Sequence, residues 1–419
     1  MVRWSLNVKT LWRRGGRSCY RFGFESTGTL ERSDGPVSSL PAAPHHDVVR
    51  CLLAIELSKS SWIVAVHTPL SDKISRYMLE GCDWKGLPEL IERIRKRVTR
   101  EFGPSVEMIS CYEASYDGFW LHRLLEGHGV RNHVIDPASL QVDRRVRRAK
   151  TDRIDAARLL RSLMAHARGE PKVWSVVRVP SVAEEDDRRL HRERGRLINE
   201  RTQHVNRIKG LCAVHGIYDY EPMHSKRMLR LECLRTATGD QLPRWFKEEI
   251  KRELQRLELV LQMIKAIETE RDAVASAKAS THTNAKKIQK LVKLRGIGAE
   301  FATVLVGEVF FRPFSNRHQI ASYVGLTPSH FQSGSMCLDQ GISKAGNPKA
   351  RTTMVELAWM WLRHQPGSSL SAWFRERVGT LKGRIRRITI VAVARKLLIA
   401  LWRYLEAGVL PIDIALKKA

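Results

Sequence analysis

Asp152 and Asp155 stand three residues apart in RRVRRAKTDRIDAARLLRSL (residues 144–163), directly behind five cations. At i and i+3 the two carboxylates share one helix face. That spacing suits either of two jobs: capping the positive end of a helix, or offering hard oxygen donors to a divalent cation. Two more acids lie in apolar runs, Glu56 in LLAIELSKSS and Glu113 in VEMISCYEAS. Side chains alternate faces along a strand, so each can project from the end of a buried strand. A carboxylate there is costly unless it reaches water, a partner or a cation. Four converging acids would repel one another, and Mg²⁺ is the usual neutraliser. Two such ions about 4 Å apart activate a nucleophile and stabilise the leaving oxygen in phosphodiester cleavage.

A second group of candidates lies near the C-terminus. LVKLRGIGAEFATVLVGEV carries Gly296 and Gly298 between two helical stretches, with Lys293 and Arg295 beside them. Such a turn is either a plain helix-helix connection or a helix-hairpin-helix, whose glycines let backbone N–H groups approach a phosphate. Further on, FQSGSMCLDQGISKAGNPKAR places Ser333 in a polar Ser-Gly loop, with Ser329 and Ser335 nearby. There Asn347-Pro348 opens a helix whose start is crowded by Lys344, Lys349 and Arg351, an anion site. A serine hydroxyl beside such cations could attack phosphorus; an isolated Ser-Gly also reads simply as a turn. The late run LKGRIRRITIVAVARKLLIALWRYL reads as a basic amphipathic helix, facing nucleic acid or only water.

The charge balance points the same way. The chain has 72 Lys+Arg against 44 Asp+Glu, a net charge of +28, and the excess recurs along its length. A polyanionic partner, nucleic acid above all, offsets such self-repulsion. Arg147, Arg148 and Lys150 are candidate backbone contacts beside the two aspartates. Seven cysteines with no C-x-x-C pair fit reduced thiols and a cytoplasmic location rather than a disulfide framework or a zinc site. ITIVAVARKLLIALW is interrupted by charge and too short to span a bilayer, so no membrane partner is expected.

These residues need elements to position them. Residues 1–47, rich in Gly, Ser, Pro and Arg, read as a disordered leader or an upstream extension of the reading frame. From Val48 the patterns alternate as β-β-β-α-β-α-β-α, which predicts a mixed sheet with helices packed on it over 48–178. Residues 179–287 are intensely charged with a thin apolar stripe: Leu190, Leu197, Ile198, Val205, Ile208 and Leu211, then Leu254, Leu257, Leu261 and Ile264. Stripes that narrow predict helices that pair with each other or with a second subunit, a coiled-coil linker. Residues 288–411 predict a mostly helical third region, followed by a tail over 412–419. The fold class is thus α/β plus α-helical.

The element order, with acids on the first strand, the fourth strand and the final helix, resembles RNase H/RuvC-like nucleases. Together with KTDRIDA, VRVPSVAEEDDRRLHRERGRLINERTQHVNRIKGLCAVHGI and the C-terminal motifs, the chain resembles DEDD transposases of the insertion sequence 110 family over about residues 48–411. The resemblance implies a DNA transposase or recombinase whose four metal-binding acids fall on Glu56, Glu113, Asp152 and Asp155, with Glu56 where the pattern has Asp. It implies Mg²⁺ as cofactor and a nucleophile at Ser333 that forms a covalent 5′-phosphoserine link to DNA. It also implies donor and target DNA and a noncoding guide RNA as partners. The implied assembly is a dimer or tetramer in which the acids of one subunit meet the serine of another. Two readings compete: a RuvC-like, metal-only, structure-specific endonuclease that does not need Ser333, and a non-catalytic nucleic-acid-binding remnant.

Overall fold

Three strands open the ordered chain: β1 (Val49–Leu57), β2 (Ser61–Thr68) and β3 (Ser71–Glu80) form an antiparallel meander. The computed structural model describes residues 48–116, 118–140, 152–276, 284–333, 336–381 and 383–417. The expectations for residues 1–47, and the candidates Arg147, Arg148 and Lys150, lie outside them. SKSS closes the first hairpin: Ser58 Oγ accepts from Ser61 N–H at 3.0 Å and donates to the Ser61 carbonyl at 2.6 Å. Next comes α1 (Gly86–Phe102), which buries Leu87, Leu90, Ile91, Ile94 and Val98 at helical spacing and stops at Gly103, φ 83°. Then follow β4 (Val106–Glu113), α2 (Trp120–Gly127), β5 (Arg131–Ile135) and, after a short 3-10 turn at Pro137–Ser139, α3 (Asp152–Ala167).

This is the order the sequence patterns predict. The sheet runs β3-β2-β1-β4-β5, with β4 parallel to β1 and β5 parallel to β4. Helices cover both faces, so β1 and β4 read as continuous apolar runs rather than alternating ones. On one face Cys51, Leu53, Ile55, Met108 and Tyr112 pack with α1 and α2. On the other Leu52, Ala54, Ile109 and Cys111 pack with Ala156, Leu159, Leu160 and Leu163 of α3.

A second unit begins at Val182. After the short α4 (Val182–Asp186), the long α5 (Arg189–Val214) is followed by α6 (Arg227–Glu232) and by α7 (Arg244–Ser276). The charged stripes pair with each other: Ile208 and Cys212 meet Ile250, Leu254 and Leu257, while Leu197 meets Val260, Ile264 and Ile267. Rising numbers on α5 meet falling numbers on α7, so the two helices are antiparallel. Cross-helix pairs edge the seam, among them Arg194–Glu268 at 2.6 Å and His204–Glu253 at 2.7 Å.

The remainder is helical around one core: α8 (Ala285–Val292), α9 (Ala299–Leu305) running into a π-helical turn (Val306–Phe310), α10 (Arg317–Val324), α11 (Pro348–His364), α12 (Ser369–Val378) and α13 (Arg384–Ala407). Two findings depart from the sequence reading. The polar Ser-Gly segment is a β-hairpin, β6 (Pro328–Ser333) paired with β7 (Met336–Ile342). And α13 is a central core helix rather than a surface one: Ile390, Val393, Ala394, Leu397, Leu398 and Leu401 are buried, leaving its first turn, Arg384, Arg386 and Arg387, exposed. Among the described residues no helix is long and apolar enough to cross a membrane.

Candidate active site

Strand parity decides where the two glutamates face. Glu56 pairs across the sheet with Ile63, and Glu113 with Ile135; both partners belong to the layer under α3. The last parallel pair between β1 and β4 is Ile55↔Tyr112, so Glu56 and Glu113 follow one step later on neighbouring strands, which lie about 4.8 Å apart. Both side chains are half-buried. The buried Cys111 thiol is pushed well above its usual range, first by burial and then by the Glu113 charge, as expected of neighbours on one face.

The helix brings the aspartates to the same edge. Arg50, at the start of β1, donates to the carbonyl of Ala167, at the end of α3, over 3.3 Å. The helix therefore runs antiparallel to β1. Counting back from Ala167, Asp155 lies roughly 18 Å along the helix, and Glu56 lies roughly 20 Å along β1 from Arg50. Backbone geometry thus gathers Glu56, Glu113, Asp152 and Asp155 at one sheet edge and on one face. Asp155 is half-buried and Asp152 exposed. Among the described residues, no three His, Cys, Asp or Glu side chains stand close enough together to hold a metal ion. The donor type suits Mg²⁺, and the backbone placement suits a shared site.

Ser333 is the last residue of β6, opposite Met336, and exposed, as are Phe331 and Gln332. The hairpin is rooted where Ser343 N–H bonds to the Thr327 carbonyl at 2.9 Å. The serine is therefore roughly 17 Å along the strand from Pro328. Of the cations placed at the start of α11, Lys344 is exposed and holds a positive φ of 56°. Arg351 donates back to the Lys344 carbonyl at 2.9 Å. Lys349 turns toward Gly195 of α5, where a Cβ would meet its Nζ at 3.2 Å.

The Gly296–Gly298 turn does connect two helices, with Lys293 and Arg295 exposed. Its backbone is partly spoken for. Arg295 N–H bonds to the Ala415 carbonyl at 3.2 Å, and the Lys293 carbonyl accepts from Lys417 N–H at 2.9 Å. Gly296, at φ +92°, has a packing reason: a Cβ there would stand 3.0 Å from the His364 Cβ. Gly298 faces open space.

Sequence reasoning passed over Glu308. It sits in TVLVGEVFF, a carboxylate in an apolar run like Glu56 and Glu113, and that signal could have found it. Glu308 is 2% exposed, within the π-helical turn. It accepts from His191 Nε2 at 2.8 Å and from Arg192 at 2.8 and 3.1 Å, and Asn347 Nδ2 donates to it at 2.7 Å. Burial alone would raise its pKa; the hydrogen bonds from His191 and Arg192, the Arg192 charge and the bond from Asn347 outweigh that and hold it well below the usual carboxylate range. Asn347 is also the cap of α11, its Oδ1 accepting from Ala350 N–H at 3.1 Å. One buried anion thus ties α5, the π-helical turn and the start of α11 together. Gly307 allows the approach, since a Cβ there would lie 2.7 Å from His191 Cε1.

Comparison with known proteins gives the family. Residues 288–372, which hold the hairpin, Glu308 and α11, match the family model of the IS116/IS110/IS902 family transposases. A transposase-designated chain of Sinorhizobium fredii, y4rJ, is 46% identical over 376 residues, 88% of this chain and 95% of its own length. The transposase for insertion sequence element IS1111A of Coxiella burnetii is 26% identical over 327 residues, 72% of this chain and 77% of its own. A family 20 transposase-designated chain of Pseudomonas aeruginosa is 28% identical over 308 residues, 72% and 83% respectively. With near-complete coverage of a relative at that identity, the chain belongs to the IS116/IS110/IS902 family of transposases.

Proposed function

We propose that the protein cuts and joins DNA by way of a covalent serine ester, with the acids at the sheet edge as its metal site. The placement of Glu56, Glu113, Asp152 and Asp155 on one edge and one face of the sheet is the observation that carries this reading. The strand order β3-β2-β1-β4-β5 supports an RNase H-like first unit, and the α8–α9 turn supports a helix-hairpin-helix in the second. When bound, Mg²⁺ supplies charge neutralisation at the phosphate oxygens, and the four acids are the residues to hold it. Glu56 in place of Asp adds one methylene, which a rotamer change can absorb.

Ser333 is the nucleophile. Its exposed position on a projecting hairpin suits attack on an extended strand. Oγ attacks phosphorus, the bond to the 3′ oxygen breaks, and the serine proton ends on that departing oxygen as a 3′ hydroxyl. The new 5′-phosphoserine ester preserves the energy of the cleaved bond, so a 3′ hydroxyl of another strand can reverse the step and complete strand transfer. The partners are donor and target DNA and a noncoding guide RNA. A net charge of +28 suits such a division of labour, in which the protein grips backbones and base pairing selects sequence. A homo-oligomer, dimer or tetramer, is supported by large apolar side chains exposed around the far end of the α5–α7 pair, including Tyr218, Leu229 and Trp245.

The test is a cleavage reaction on the element's end sequences, run on a denaturing gel with Mg²⁺ and with chelator. A protein–DNA adduct that requires Ser333 is the expected result. Free cleavage products with no adduct, undiminished by Ser333→Ala, would make the protein a metal-only nuclease.

A further inference from the structure

In the first unit, α1 carries its cations on the side turned away from the sheet. Leu87, Leu90, Ile91, Ile94 and Val98 face the core, while Arg93, Lys96, Arg97 and Arg100 are all exposed. At i, i+3, i+4 and i+7 the four share one helix face. Among the described residues none of the four forms an ion pair, and Glu92 is taken by Arg95 at 3.0 Å. Like charges three and four residues apart destabilise a helix, and here Arg93 and Arg100 each stand at those spacings from both Lys96 and Arg97. The packing of α1 on the sheet uses none of these side chains.

The stripe borders an open groove between α1 and the end of α2. Arg93, Arg95, Lys96, Arg97, Arg100 and His128 line it, with Glu89 and Glu92 as the acids among them. Arg95 spans the two helices, donating from Nη2 to the His128 and Gly129 carbonyls at 2.8 and 3.3 Å. A concave surface dominated by one sign of charge focuses its field on a polyanion. Among the described residues no Trp, Tyr or Phe lines the groove, so it offers no platform on which the bases of a single strand would stack. From Arg93 to Arg100 the stripe is roughly 10 Å long. Over that length one strand of a duplex presents about three phosphates, one per 3.4 Å of axis. A straight basic stripe without stacking rings fits the backbone of a duplex.

We infer that the outer face of α1 is a docking surface for a duplex DNA arm, whose backbone phosphates Arg93, Lys96, Arg97 and Arg100 contact. The inference rests on the DNA reading above and adds a surface to it. α1 packs on the face of the sheet that holds Leu53 and Ile55, while the four acids belong to the face under α3. The docked arm is therefore a different stretch of DNA from the one at the acids, and the sheet between them sets their separation. Contacts to phosphate alone read no sequence, so the surface grips any arm.

The experiment measures binding of the full chain to fluorescein-labelled 30-mers, as duplex DNA, duplex RNA and single-stranded DNA, across a salt series with chelator present so that the metal site is silent. Each phosphate contact to duplex DNA contributes about 0.9 to the log–log slope. Arg93→Gln/Arg97→Gln should therefore flatten the slope for duplex DNA by about 1.8. Lys96→Gln/Arg100→Gln should do the same, which guards against a folding failure of the first pair. Arg93→Lys/Arg97→Lys should keep the wild-type slope. Arg252→Gln/Lys265→Gln removes the same charge from exposed positions on α7 and should leave the slope unchanged. Relief of like-charge neighbours should leave the Tm of the free protein unchanged or raised in both glutamine pairs on α1. An unchanged duplex-DNA slope or a lowered Tm in both of those pairs, equal flattening in the α7 pair, or a loss confined to duplex RNA or to the single strand would overturn the surface. If the wild-type chain shows no salt-dependent binding to duplex DNA, the DNA reading itself falls.

Discussion

At the scale of the residue, Ser333 and Glu308 make opposite demands. Ser333 is exposed and supports nothing, so Ser333→Ala should change stability by less than about 0.5 kcal/mol while removing the covalent adduct on a denaturing gel. Glu308 is buried among donors, and Glu308→Ala strands Arg192 and His191; unfolding in urea should show a loss of about 3–5 kcal/mol. The sign of its pH effect follows from its lowered pKa. In the unfolded chain the group titrates near the ordinary value of about 4.3. Its contribution is complete above that pH and is lost as pH falls through the lower folded value. Wild-type stability should therefore decline on acidification below about pH 4, and Glu308→Gln should show a shallower decline over that window. The same carboxylate shows where sequence reading stopped. Glu56 and Glu113 were legible because strand parity is a local pattern. Glu308 carries the same local signal, but His191 and Arg192 come from more than one hundred residues earlier and Asn347 from 39 residues later, which no spacing rule reaches.

At the scale of the element, the first unit was almost fully legible. Its strands and helices alternate with clear periods and carry their own stops, such as Gly103. The carboxylate edge followed from parity and from the direction of α3. Removing one donor there, as in Asp155→Asn, should lower the Mg²⁺-dependent cleavage rate by at least about 100-fold with a far-UV spectrum like wild type. The β6–β7 hairpin was not legible. Its turn lacks the alternating apolar pattern that marks a strand, because its described tip residues face outward. The fate of α13 was hidden for the converse reason: its basic first turn drew attention away from a stripe of buried Val and Leu. Glycine requirements can be tested directly in this region. Gly346, φ +95°, would place a Cβ 2.2 Å from the Tyr323 carbonyl oxygen. Gly346→Ala should lower thermal stability by at least about 1–3 kcal/mol and loosen the start of α11, seen as faster amide exchange there.

At the scale of the whole molecule, charge governs association. Six to ten phosphate contacts would weaken binding by about 10³–10⁵ between 50 and 200 mM salt, and a salt titration with duplex DNA should fall in that range. The long helix α5 sets geometry at the same scale. Its 26 residues extend roughly 39 Å, with the Glu308 contacts at one end and the seam with α7 beyond. Each added residue turns a helix by about 100°, so a single alanine inserted after Gly195 leaves both ends intact but out of phase. The molecule would then have to abandon either the Arg192 clamp or the interlocked seam. In that sense α5 works as a torsion shaft: the phase set by the seam with α7 fixes the phase at which Arg192 meets Glu308.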